Sequence, residues 1–409
     1  MEERVMEEHV MEEHGVRRFP FGPTTGLELD GTYRELQESE RVARIRMPFG
    51  GDAWLVTGYE DTKFVLSDPR FSRAVTLAMD LPRLQPQIVQ NPEMIMSMDP
   101  PDHTRVRQVA ARAFTPRRVE KLRPWIAGQI DDLLVRMAEQ GPPADLMKDL
   151  ATPLPIAVIC EILGVPFADR HRFREWSEIV MSVTAFTPEE IFAAFQSLSE
   201  YLGWLVRQRR VAPADDLFSA MVRARDTEAV MSERELVTFG VTLLVVGHET
   251  TVNEIADMMF VMLRDGVYAE LAEGGGPALP RVVEELLRFV PIESPGGFAR
   301  VATEDVVIGD TLIAKGEAVY TQLSAANRDP RVFSDPDAID FETAREQHLT
   351  FGFGPHRCMG AALAKMEIEL VIEGLLRRMP GLRLAVDPGR IEWKVDRLVR
   401  GPEALPVTW

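Results

Sequence analysis

At 409 residues the chain exceeds the usual size of one domain, yet no stretch reads as a linker between two. Its 45% hydrophobic and 27% charged residues predict a globular protein with a large core, and a net charge of −18 excludes a nucleic-acid binder. Two cysteines, Cys160 and Cys358, exclude a disulfide framework and suit a reducing, cytoplasmic location.

In chain order, the pentads Met1–Val5, Met6–Val10 and Met11–Gly15 repeat a polar pattern that cannot bury a core. A disordered tail over residues 1–18 is expected, followed by one domain over 19–409. Residues 43–47 and 53–57 flank Pro48-Phe49-Gly50-Gly51 as a hairpin. From about 102 to 290 nearly everything reads helical, punctuated by Gly141-Pro142-Pro143 and Gly164-Val165-Pro166. Cys160 falls in an apolar helical run and reads as a buried small hydrophobe. Short strands return near 305–308, 311–313 and 318–320. The fold class is therefore mainly α with a minor β subregion (α+β). The apolar run from Leu236 to Val246 is too short to span a membrane and runs into His248, Glu249, Asn253, Glu254 and Asp257, so no membrane span is expected.

Ser232-Glu233-Arg234-Glu235 forms a capping-box pattern that opens a helix running to Asp265-Gly266. Its length, some 45 Å at about 1.5 Å per residue, carries it across the domain. Val246-Gly247-His248-Glu249-Thr250-Thr251 interrupts this apolar helix with a glycine, a carboxylate and hydroxyls, which reads as a kink carrying a proton-handling pair. A threonine can also back-bond to the carbonyl four residues earlier, with no further role.

Near the C-terminus, Phe351-Gly352-Phe353-Gly354-Pro355-His356-Arg357-Cys358-Met359-Gly360 presents one cysteine just before the good helix formers that follow Gly360. A helix start favours a thiolate, and glycines let N–H groups approach the sulfur. Such a sulfur suits a metal centre tuned by hydrogen bonds.

This loop resembles the haem-ligand segment of the cytochrome P450 family, in its soluble bacterial, actinobacterial-type class. Val246 to Thr251 resembles the family's distal-helix motif, and Glu285-Leu286-Leu287-Arg288 its E-x-x-R motif. The Ala325 to Pro330 segment matches as well, so the resemblance runs from about residue 20 to the end. It implies the P450 fold, with haem b (heme b, iron protoporphyrin IX) between the long central helix and the cysteine loop.

By the same resemblance Cys358 is the proximal metal ligand, and His103, Arg107, Arg300 and His356 contact the haem propionates. Thr250 hydrogen-bonds dioxygen and Glu249 feeds protons from solvent. Glu285 and Arg288 give structural support, with Arg345 as the third partner. Phe239, Leu243, Val246, Ile292 and Leu398 fall at substrate-pocket positions, along with the 75–98 loop, the 180–190 region and Glu293. Valine at 246 stands where the family commonly carries alanine or glycine, so it narrows the approach to the metal.

The implied activity is hydroxylation or epoxidation of a bulky, hydrophobic small molecule, such as a macrolide or other polyketide of antibiotic biosynthesis. It uses O2 and electrons from NAD(P)H through ferredoxin reductase and a ferredoxin. The acidic ferredoxin would dock on a basic proximal face between His103 and Arg123, where Arg105, Arg107, Arg112, Arg117, Arg118, Lys121 and Arg123 face only Glu120. A monomer without membrane or nucleic-acid partners is expected. Two rivals stand beside this reading: a peroxide-driven or oxidative-coupling haem-thiolate enzyme, and a haem-based sensor. The Glu249–Thr250 pair argues against the first, and the absence of an output module against the second.

Overall fold

Prolines at helix starts and glycines at their ends divide the chain much as the sequence predicts. A computed structural model gives the fold and describes residues 15–22, 26–84, 91–111, 114–180, 186–214, 216–228, 230–292, 297–342, 347–394 and 399–409. Two short helices, α1 (Gly31–Ser39) and α2 (Tyr59–Ser67), lie among the first strands. The helical body comprises α3 (Asp102–Ala111), α4 (Pro116–Gln140), α5 (Pro153–Leu163), α6 (Arg170–Val180), α7 (Pro188–Val211) and α8 (Leu217–Glu228). It continues through α9 (Glu233–Arg264), α10 (Val267–Ala272) and α11 (Leu279–Phe289). Then come α12 (Leu323–Ala326) and, after the cysteine loop, α13 (Ala361–Arg378).

Helix α9 holds the body together. Ser232 and Glu235 cap it reciprocally: the Glu235 N–H donates to Ser232 Oγ at 3.0 Å, and the Ser232 N–H to Glu235 Oε2 at 2.6 Å. Its 32 residues pack against α5, α6, α7, α8, α10 and α13, and most of its side chains are buried. Burial on nearly every side explains why its sequence is apolar all round rather than on one stripe.

The β portion begins with β1 (Arg17–Arg18), β2 (Val42–Arg46), β3 (Asp52–Val56) and β4 (Phe71–Ser72), and β5 (Ala144–Asp145) follows among the helices. Later come β6 (Arg300–Ala302), β7 (Val306–Ile308), β8 (Thr311–Ile313), β9 (Ala318–Thr321), β10 (Arg383–Leu384) and β11 (Pro406–Thr408). The main sheet has the order β1-β2-β3-β9-β6-β4, with β10-β11-β5 and β7-β8 as smaller sheets. The expected hairpin is β2 and β3, antiparallel from Val42↔Val56 to Arg46↔Asp52.

One boundary is corrected. The expected tail over 1–18 ends earlier, because β1 pairs in parallel with β2 (Arg17↔Ile45) and Val16 is buried. The open edge of β2 offers backbone partners that composition alone does not reveal. Residues 1–14, which hold most of the repeat, lie outside the described residues. No helix among the described residues is long and apolar enough to cross a membrane.

Candidate haem site

The cysteine loop folds back on itself before α13. The Cys358 N–H donates to the Phe351 carbonyl at 2.8 Å, and Gly352 and Gly354 take φ of +70° and +69°. A Cβ on Gly354 would lie 2.5 Å from the Leu66 carbonyl oxygen, so only glycine lets the loop pass the end of α2. N–H groups of Gly360 and Ala361 point at the Cys358 sulfur, as expected. The thiol is exposed although protein surrounds it densely, which fits a sulfur opening on an internal space. Burial raises its pKa, opposed by those N–H groups and by Arg107 and Arg357. A metal cation at the sulfur would reverse that balance.

Arginines and neutral histidines collect near the sulfur. His103 from α3 and His356 from the cysteine loop pack with ring centroids 4.2 Å apart and their planes tilted by 43°. Burial drives both pKa values down, to about 4 and about 2 respectively, so both rings are neutral. Arg107 Nη2 donates to the Arg357 carbonyl at 2.5 Å, and Arg300 Nη1 to the Phe71 carbonyl at 3.3 Å. Arg300 is buried, with its pKa lowered to about 10 by desolvation, while Nε2 of His356 is buried without a partner.

A fifth member was missed from sequence. Arg73, just beyond β4, is buried, donates to the Met96 and Ala299 carbonyls, and has its pKa lowered to about 9 by burial and then by Arg300. Asp99 accepts from the Arg73 N–H at 2.9 Å and from Ser72, which anchors this corner. Buried Arg73 and Arg300, with half-buried Arg107 and Asp99 as a nearby carboxylate, call for anions, and the two propionates of a haem supply them. The residues present therefore fit the group.

Helix α9 stays helical through 246–251, so the expected kink is not a break in the helix. Instead several of its side chains bond to carbonyls one turn back. Thr250 Oγ1 donates to Val246 O at 3.0 Å, Asn253 Nδ2 to Glu249 O at 2.7 Å, and Thr242 Oγ1 to Thr238 O at 2.8 Å. Leu243, Val246 and Thr250 stand at i, i+3 and i+7 and are half-buried, as are Gly247 and Glu249. Those three residues share one face of the helix. Gly247 faces elsewhere: a Cβ there would lie 3.1 Å from Ile159 Cδ1 of α5. Buried His248 contacts the Leu244 carbonyl through Nδ1 at 2.6 Å and brings Nε2 to 3.7 Å from Glu249 Oε2.

Other expected residues are placed as follows. Phe239 shares the face of Val246 but is packed at 1% exposure in the main core, so it offers no open surface. Ile292 is half-buried, and its carbonyl accepts from the Arg400 N–H at 2.9 Å. Leu398, Glu293, Arg345 and Arg112 lie outside the described residues, as do 85–90 and 181–185 of the expected pocket segments.

Glu285 and Arg288 of α11 form a buried bidentate pair at 2.7 and 2.9 Å. Arg288 also donates to the carbonyls of Asn327, Pro336 and Ala338, and Glu285 accepts from the Asp340 N–H. Asn327 in turn holds the Leu349 N–H and donates to Thr350 Oγ1, which ties the pair to the start of the cysteine loop. Of the expected basic face, Arg105 is taken up by Glu235 and Asp102, and Arg123 by Glu120. Arg117, Arg118 and Lys121 are exposed.

The family model for Cytochrome P450 matches residues 277–399. Nocardicin C N-oxygenase of Nocardia uniformis subsp. tsuyamanensis is 47% identical over 96% of this chain and 98% of its own length. Mycinamicin IV hydroxylase/epoxidase of Micromonospora griseorubida is 43% identical over 96% and 98%. Among solved structures, HinD with NMFT and NO superposes with a TM-score of 0.90 at 45% identity, covering 96% of this chain and 99% of that one. The chain belongs to the cytochrome P450 family. It is a monooxygenase, with haem b as the cofactor of its class.

Proposed function

We propose that the chain hydroxylates or epoxidises a bulky, largely apolar natural product of the macrolide or polyketide kind, with electrons from NAD(P)H delivered by a ferredoxin. The observation that carries this reading is the half-buried, mainly apolar stripe of Leu243 and Val246 leading to Thr250. The two relatives named for acting on nocardicin C and mycinamicin IV support a natural product as substrate.

Cys358 would hold the haem through its sulfur, and Arg73, His103, Arg107, Arg300 and His356 would hold its propionates. The haem supplies oxygen activation and oxygen-atom transfer. The chain supplies the rest: Leu243, Val246 and Ile292 shape the approach, while Thr250 and Glu249 hold and pass protons. Glu285 and Arg288 keep the cysteine loop in place without touching substrate. Leu398 and Arg345 remain candidates for the pocket and the support network. Arg117, Arg118 and Lys121 form the surface on which an acidic ferredoxin would dock.

Two measurements test this. A spin-state titration against a panel of macrolides and other polyketides should find a compound that binds, and NAD(P)H with ferredoxin, ferredoxin reductase and O2 should convert it. Turnover of that compound by peroxide alone, with none from the reductase chain, would establish the peroxide-driven alternative. Reduction by ferredoxin should slow as salt rises, since Debye screening at about 10 Å in 0.1 M salt weakens steering. It should slow further in Arg117→Glu. Rates flat across ionic strength would remove this docking face.

A further inference from the structure

Two carboxyls of α9 have no place in the arrangement above. Glu254 and Asp257 are 3% and 0% exposed, and all four of their side-chain oxygens lack a hydrogen-bond partner. Their neighbours along the helix, Val252, Ile255, Ala256, Met258 and Met259, are apolar and buried. Burying a polar atom without a partner costs free energy, so four such atoms within one helical turn require an explanation.

Their position supplies one. Residues 250, 254 and 257 stand at i, i+4 and i+7, on one face of the helix. At about 1.5 Å per residue, Glu254 is roughly 6 Å along the axis from Thr250, and Asp257 roughly 10 Å. Helical side chains lean toward the N-terminus, which sets the Glu254 carboxyl back over the turn that carries Thr250. Thr250 already donates its proton to the Val246 carbonyl, so its oxygen is left to accept one.

The far end of this line meets the C-terminal segment. Lys394, half-buried, donates to Asn253 Oδ1 at 2.7 Å, and a Cβ on Gly401 would lie 2.1 Å from that same oxygen. Backbone therefore closes directly on α9 here, next to exposed Glu392. Burial holds both carboxyls above the usual range. Asp257 reaches about 8 despite Lys394 and Arg400, and Glu254 is raised by burial and then by the charge of Asp257. Among the described residues, Lys394 and Arg400 are the cations that bear on the pair. At neutral pH the pair retains at least one proton.

We propose that Glu254 and Asp257 form a buried proton store that replenishes Thr250 along α9, separately from Glu249. In the step, the Glu254 O–H bond breaks and its proton passes through an intervening water to Thr250 Oγ, as Thr250 releases its own proton into the pocket. Glu254 then takes a proton from Asp257 through a second water, and Asp257 regains one from solvent on the Lys394 side. Only protons move; the electrons come from the enzyme's reductant. The inference rests on the reading of Thr250 as a proton donor to the pocket.

The test uses haem-loaded wild type, Glu254→Gln, Glu254→Leu, Asp257→Asn and Thr250→Ala. Infrared spectra at neutral pH should show a protonated-carboxyl band in wild type that is lost in both Glu254 variants. Product per NAD(P)H should fall several-fold in Glu254→Leu and Asp257→Asn, and the solvent deuterium isotope effect should rise. Glu254→Leu should at the same time unfold at higher denaturant, which separates lost relay from lost packing. Assignment of no carboxyl band to Glu254 would overturn the store. Unchanged coupling in Glu254→Leu and Asp257→Asn beside an uncoupled Thr250→Ala would also overturn it, while leaving the reading of Thr250 intact.

Discussion

The Thr250 hydroxyl is bound to the carbonyl of Val246, 3.0 Å away and one turn earlier on α9. The bond fixes the rotamer of Thr250, and it uses a carbonyl that the helix ladder leaves able to accept twice. Replacing Thr250 by alanine should leave substrate affinity nearly unchanged and divert reducing equivalents to hydrogen peroxide. Loss of a positioned proton donor lowers the rate of product formation by about 10²-fold. Thr250→Ser, which keeps the hydroxyl, should recover part of the coupling. The measurement is product formed per NAD(P)H consumed, and equal coupling in all three proteins would take Thr250 out of proton delivery.

Val246 contributes the other half of that contact through its backbone, which leaves its side chain free to shape the approach. A β-branched residue in a helix is stiff at χ1 and does not swing aside. Val246→Ala should therefore change the product ratio of a substrate with two oxidisable positions, since reactive geometry is sensitive at about the 1 Å level. Half-burial limits the stability cost to about 1–2 kcal/mol. An unaltered ratio and substrate range would show that this side chain does not bound the pocket.

Cys358→Ser keeps the loop, because the glycines and the bond from residue 358 to Phe351 O are backbone features. It removes the thiolate. The reduced carbon-monoxide difference spectrum should lose the thiolate-type red-shifted band, and oxygenation should cease. Retention of that band in the variant would move the ligand role to another residue.

Arg288→Met should be among the most damaging single changes. It strands the buried Glu285 carboxylate and leaves three carbonyls without a donor. Breaking such a pair costs about 3–5 kcal/mol. Glu285→Gln keeps neutral hydrogen bonds and should cost less, about 1–3 kcal/mol. Denaturant midpoints and the yield of haem-loaded protein check both, and equal effects would mean the charge is immaterial.

Glu367 on α13 is fully buried, and burial raises its pKa to about 8 from an ordinary 4.5. Between those values the folded chain keeps a proton that the unfolded chain has released, so this group's contribution falls as pH rises from about 4.5 to 8. Asp257 acts in the same direction. Asp226, held near 2 by Arg210 and Arg225, and Glu284, held near 2 by hydrogen bonds from His348 and Lys365, act oppositely, and their contribution is lost as pH falls below the ordinary carboxylate range. Glu367→Gln should therefore gain stability over wild type progressively toward pH 8. Urea midpoints across that range check it, and parallel pH profiles would contradict a raised pKa.

The sequence revealed α9, its capping box and the cysteine loop, because each is local: a period, a cap and a run of glycines. It named two arginines and two histidines of the haem site through their motifs and missed Arg73. Arg73 reaches them only because β4 pairs with β6 (Phe71↔Ala302), a contact between distant parts of the chain. Phe239 shows a complementary limit: helical period gives a face but not the depth at which the core closes over it. Glu254 and Asp257 were read only as evidence against a membrane span, since burial without a partner is visible in three dimensions alone. The strand at Arg17–Arg18 was hidden because its partner edge, not its own residues, creates it.

The cation cluster is assembled from both sides of the helical body. Arg73 precedes it and Arg300 follows it, and Arg300 reaches Phe71 across 229 positions of chain. Closing so long a loop is entropically costly and slow, whereas the helices between can form from neighbouring residues. The anion-holding corner is thus a late product of folding, and a dianionic cofactor that seats there ties the first strands to the last. Cofactor supply and chain assembly become one equilibrium, in which haem acts as the fastener of the fold as well as its reactive centre.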